Sequence, residues 1–173
     1  MKLPKITIKP EIFNQVANLI EFIISLHPFG FAVLLGAYPQ PTPEEIHEMI
    51  KAQRDPLPLD YKPTQKSSYT QAEAIVVEYE SFENVVKLSG GWQHINRVAN
   101  ELKEVDPKIW NVAADHVKYM STPGSRFRSR LKYVADKHNI SRNTAIRYRR
   151  LFPQILATML LVPDSESMYT GIF

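Results

Sequence analysis

The chain has 173 residues, 44% of them hydrophobic and 23% charged, with a formal net charge of +3. That length supplies a real core without staples, and the absence of cysteine excludes a disulfide framework, a thiolate zinc site and a cysteine nucleophile together. No metal, other cofactor or enzymatic activity is expected: the histidines (His27, His47, His94, His116 and His138) fall at no metal-ligand spacing, and no nucleophile elbow or phosphate loop occurs.

Lys2 to Lys9 alternates weakly, as a short strand or an extended arm would. Pro10 then opens a helix over residues 11–26, with Ile12, Phe13, Val16, Leu19, Ile20 and Ile23 as its apolar stripe. A second short apolar helix is expected over 29–37. Residues 12–38 are greasy, but Asn14, Gln15, Asn18 and Glu21 interrupt them and His27-Pro28 splits them. The clean runs fall well short of the roughly 20 residues that span a bilayer. No membrane role and no export signal are expected, and the chain is read as cytoplasmic.

Thr42-Pro43-Glu44-Glu45 is a helix start, and that helix carries Ile46, Met49 and Ile50 and ends by Asp55. The proline-rich stretch PLPLDYKPTQKSS, residues 56–68, cannot sustain a helix and is read as a linker. A long helix follows from about Thr70 to Leu88, with Ile75, Val76, Tyr79, Phe82 and Val86 on one side, until Gly90-Gly91 breaks it. Trp92 opens the next, with Ile95, Val98, Ala99 and Leu102. Asp106-Pro107 caps another, through Ile109, Val112, Ala113, Val117 and Met120. Trp92 and Trp110 are expected to anchor the core, and His116 to be a hydrogen-bonded core histidine. Pro153 should end or kink the last basic helix near Leu151, and the apolar run 155–162 then needs cover from this domain or a partner chain.

The fold class is therefore all-α: a multi-helix domain with a C-terminal helix-turn-helix. Residues 1–55 form an N-terminal helical region suited to oligomerisation or partner contact. Residues 69–163 form a helical DNA-binding domain, and 164–173 a tail.

The helix-turn-helix is read from Leu131 to Arg150, LKYVADKHNISRNTAIRYRR. Val134 and Ala135 face inward on its first helix, Asn139 makes the turn, Ile140 plugs the angle and Ser141 caps the second helix. Ala145 and Tyr148, three apart, pack back on the first helix. Another face carries Arg142, Asn143, Arg147 and Arg150; Arg142, Asn143 and Arg147 are candidates for base readout, and Ile146 either joins them at a thymine methyl or belongs to the core. Ser141 and Thr144, with Arg126, Arg128, Arg130, Lys132, Arg149 and Arg150, are candidates for the DNA backbone, and His138 either meets a phosphate or caps the first helix. From Val117 to Arg150 ten basic residues stand against Asp136 alone. That surplus of nine, in a chain of +3, leaves the remainder at −6. A solvated face mixes its signs, whereas a one-signed patch on such a motif suits phosphates.

The order of a long helix (QAEAIVVEYESF), two shorter helices with IWNVAADHVKYM, and YVADKHNISRNTAIRYRRLFPQIL resembles the phage-encoded ArpU/RinA type of late-gene transcriptional regulators, themselves similar to the promoter-reading region of sigma factors. The resemblance covers about residues 70 to 160 and rests on Ala135 and on Ile140 to Arg147. It implies a DNA-binding activator or antiterminator in a phage or prophage late operon. The leading expectation is a sequence-specific regulator of transcription that binds double-stranded DNA as a homodimer. The alternatives are a phage small terminase subunit, and an antitermination adaptor that binds RNA polymerase.

Overall fold

A computed structural model describes residues 8–26, 29–52, 70–120 and 127–162, with the backbone alone for residues 120 and 127–129. The expected fold class holds in its coarse form: eight α-helices and no strand among the described residues. They are α1 (Pro10–Ser25), α2 (Gly30–Leu35), α3 (Pro43–Ala52), α4 (Gln71–Leu88), α5 (Trp92–Val105), α6 (Pro107–Met120), α7 (Phe127–Lys137) and α8 (Arg142–Leu161). Among the described residues no helix is long and apolar enough to cross a membrane.

Local chemistry sets most boundaries. The Thr42 hydroxyl accepts from Glu45 N at 3.2 Å to start α3. Thr70 and Glu73 exchange a reciprocal capping box at the start of α4. Asp106 Oδ1 accepts from Ile109 N at 3.1 Å as α6 begins. Gly90 and Gly91 end α4 with φ of 100° and 87°, a region that side chains disfavour. The start of α2 presses so closely on the end of α1 that a Cβ at Gly30 would collide with the Ile23 carbonyl oxygen and lie 2.7 Å from Ile24 Cα. The far end of α2 is held by α5, where Asn96 donates to the carbonyls of Val33 and Leu34 and Asn100 to that of Leu35.

One main core joins every helix except α7. Phe31, Trp110 and Phe152 meet with ring centroids 5.1–5.5 Å apart, bringing α2, α6 and α8 to one point. Phe22 of α1 meets Phe82 of α4 edge-on at 5.8 Å. A smaller cluster of Val112, Leu131, Val134 and Ala145 joins α6, α7 and α8. Trp110 is buried as expected, whereas Trp92 is half-buried at the margin of the main core.

Several expectations change here. The described part of residues 1–55 shares its core with the C-terminal helices, since α1 lies against α8. The two apolar segments, for which this domain or a partner chain could supply cover, cover each other. Val16, Ile20 and Ile23 of α1 are buried in the same cluster as Ile155, Leu156 and Leu160 of α8. Pro153 neither ends nor divides α8, which runs through it for 20 residues. An interior proline costs about 3 kcal/mol. Burying Phe152, Ile155, Leu156 and Leu160 at about 1.5–3 kcal/mol each outweighs that. On α4, Val76 is 55% exposed while Glu78 is buried, its carboxylate 2.7 Å from His47 Nδ1 of α3. The α3 helix is described as far as Ala52, and Asp55 lies outside the described residues. The arm at Lys2 to Lys9, the linker 56–68 and the tail 164–173 lie outside the described residues, save Ile8 and Lys9.

Candidate nucleic-acid interface

Two helices and the tight turn between them build the candidate site. Leu131, Val134 and Ala135 turn the inner face of α7 toward α6 and α8, and Ala145, fully buried, receives it from α8. Alanine at 135 and 145 keeps both helices free of bulk where they meet. The chain then reverses at Asn139, whose φ of 54° is the left-handed conformation that asparagine tolerates better than most residues. Ile140 N donates to Ala135 O at 3.0 Å, and the half-buried Ile140 side chain packs against the small cluster. Ser141 Oγ accepts from Thr144 N at 3.1 Å and lies 2.8 Å from the Thr144 hydroxyl. Both hydroxyls of this pair are thus engaged in starting α8. No acidic residue occupies the first turn of α8, so the positive end of its dipole is not neutralised there.

With Ala145 fixed inward, Arg142, Asn143, Arg147 and Arg150 are exposed. Asn143, Ile146, Arg147, Arg150, Leu151 and Gln154 recur at helical spacing and line one open depression of about 400 Å³. Ile146 has both characters, half-buried against the small cluster and forming part of that depression. Leu151 and Gln154 are not among the sequence candidates because Pro153 is expected to end or kink the helix near Leu151. Their spacing of three or four residues from Arg147 and Arg150 was the available signal.

Arg149 is the clearest correction. It turns away from the other arginines and binds the Glu21 carboxylate through both terminal nitrogens, at 2.6 and 2.7 Å. Its guanidinium fastens α8 to α1 instead of facing a DNA backbone. Beside this pair, burial holds the half-buried His116 imidazole below its ordinary pKa. The Arg149 charge adds to that shift and the Glu21 charge opposes it.

The turn is fastened to α6 as well. Asp115 Oδ2 accepts from His138 Nε2 at 2.6 Å and from Lys137 Nζ at 2.9 Å. His138 therefore bridges helices, a role different from either one expected of it. Burial raises the Asp115 carboxyl, but the hydrogen bonds and charges of Lys137 and His138 outweigh burial and hold it below the usual carboxylate range. Lys132 is exposed and Arg130 half-buried, while Arg126 and the side chain of Arg128 lie outside the described residues.

Among the described residues, no group of three or more acidic or histidine side chains is placed to hold a metal ion. No family model matches the chain, and no curated protein or solved structure is significantly similar to it.

Proposed function

We propose that the chain is a sequence-specific double-stranded DNA-binding regulator of transcription, with α7 and α8 as a helix-turn-helix and α8 as the reading helix. The observation that carries this reading is the outer stripe of α8, where exposed Asn143, Arg147 and Arg150 stand in line with Gln154 and opposite a buried Ala145. Arginine matches the guanine edge in the major groove, and asparagine or glutamine matches adenine. From Asn143 to Gln154 an α-helix advances about 16 Å, a length comparable with about five base pairs. Arg142, at the unneutralised start of α8, and Lys132 suit the flanking phosphates.

One such helix makes few base contacts. Two copies on half-sites about one helical turn apart would supply the rest. A regulator of this kind acts in the cytoplasm, and a phage late operon is the setting that the sequence resemblance supports.

The test is selection of bound fragments from random duplex DNA, followed by titration of the selected site at several salt concentrations. With about six phosphates neutralised, the log–log salt slope should lie near −5. Enrichment of no sequence, or a slope near zero, overturns the reading.

A further inference from the structure

Away from the outer stripe of α8, the edge between α6 and α7 carries an aromatic pair that the reading above leaves unused. Tyr119 of α6 and Tyr133 of α7 lie with ring centroids 4.6 Å apart, inclined at 59°. The Tyr119 hydroxyl donates to that of Tyr133 at 3.3 Å. This bond raises the Tyr119 phenol above its ordinary pKa, with smaller contributions from burial and from Tyr133 itself. Tyr133 is 51% exposed, so a face of its ring is open to a ligand.

Cations surround the pair. Lys118 Nζ and Lys137 Nζ each lie 5.9 Å from the centre of the Tyr119 ring. Arg130 and Lys137 share the Tyr133 side of α7, three residues before it and four after. Two acids stand at this edge: Asp115, which Lys137 and His138 already engage at 2.9 and 2.6 Å, and the exposed Asp136, three residues after Tyr133. Lys137 retains further N–H donors beyond the one Asp115 takes.

An exposed π-face flanked by three cations, with Asp136 as the one acid not already paired by Lys137 and His138, fits a ligand with both a flat apolar face and an anionic backbone. An acidic peptide brings the charge without the face. Duplex DNA brings phosphates but hides its base faces inside the stack. An unpaired nucleotide brings both, and aromatic platforms with cationic surroundings hold single strands in this way.

We propose that the α6–α7 edge is a second nucleic-acid site, where Tyr133 stacks on an unpaired base and Lys118, Arg130 and Lys137 hold the adjoining phosphates. The inference rests on the proposed function only in taking the chain to meet nucleic acid. A protein holding both surfaces would engage a duplex through α8 and a frayed or opened strand beside it.

The experiment compares the full chain on three labelled probes: a duplex, the same duplex with a single-stranded thymine extension, and the extension alone. Wild type should bind the extended duplex more tightly than the plain one. Tyr133→Ala should weaken binding of both extension-bearing probes about tenfold and leave the plain duplex unchanged. Tyr133→Phe, which keeps the ring, should behave as wild type. Tyr133→Leu keeps apolar bulk without the π-face, so with wild-type melting it should bind as Tyr133→Ala does. Equal wild-type binding of plain and extended duplex overturns the proposal. So does parallel weakening of both by Tyr133→Ala, or displacement of the extension by polyglutamate as readily as by oligothymidine. Loss of duplex binding with Tyr133-dependent binding of the extension would overturn the proposed function and leave this site standing.

Discussion

Glu21 and Arg149 lie 128 residues apart in the chain, yet the carboxylate of one takes both terminal nitrogens of the other. The two helices so joined also share the main core, but apolar packing alone permits some sliding and rotation. A two-point polar contact fixes rotation as well as distance. This contact sets which way the outer stripe of α8 faces.

Removing that contact should therefore cost orientation more than stability. The Glu21 side chain is 46% exposed, so solvent screens the pair, and Glu21→Gln should cost about 1 kcal/mol at most. In a domain of this size that lowers the melting temperature by about 2–4 °C. Differential scanning calorimetry measures it. A drop several times larger would mean that the pair supports the core rather than the pose of α8.

Base readout and backbone contact separate by sequence dependence. Arg147→Ala and Asn143→Ala should each cost about 1–3 kcal/mol on the selected site and relax its specificity. Lys132→Ala should weaken all duplexes alike and make the salt slope about one unit shallower. Anisotropy titrations on selected and scrambled sites check both. Uniform losses from Arg147 and Asn143 would relocate the reading face.

Ala135 lies 2% exposed beneath the turn. Ala135→Leu inserts bulk where α7 and α8 meet, and such overpacking costs about 1–3 kcal/mol. The expected outcome is a lower melting temperature together with lost DNA binding. Unchanged melting and intact binding would contradict the buried register of α7.

The His116 shift gives a pH dependence of known sign. Its folded pKa lies below the ordinary value of about 6.5, so the unfolded chain binds the proton more readily. The neutral form's advantage is complete above that value and is lost as pH falls through the folded pKa. His116→Gln removes the group, so its melting temperature should fall less than that of wild type between about pH 7.5 and about pH 5.5. Parallel curves for the two proteins would show that His116 does not titrate differently on folding.

What the sequence made legible is local. The caps at Thr42, Asp106 and Ser141, the helix start near Thr70, the glycine pair and the turn at Asn139 each act within a few residues of themselves, and each is where its spacing placed it. The inner faces of α5 and α7 follow from periodicity for the same reason. The partner of a polar side chain has no such signature. Glu21, Arg149, His47 and Glu78 all resemble surface residues in a linear reading, and only the packing of α1 on α8 and α3 on α4 pairs them. Pro153 misled for a related reason. Its local penalty is visible in sequence, while the burial that overrides it belongs to the assembled core.

The continuity of α8 through Pro153 has a consequence for how this protein can change. Its outer half meets solvent and its inner half, through Phe152, Leu156 and Leu160, is gripped on several sides. A rod of this kind has no joint at which its tip can be re-aimed. New target preferences are thus reachable by exchanging side chains along the outer stripe, whereas a substitution in the grip would swing every contact at once. Variation among descendants of this chain should accordingly concentrate at positions such as 143, 147, 150 and 154, with the buried half of the same helix held nearly constant.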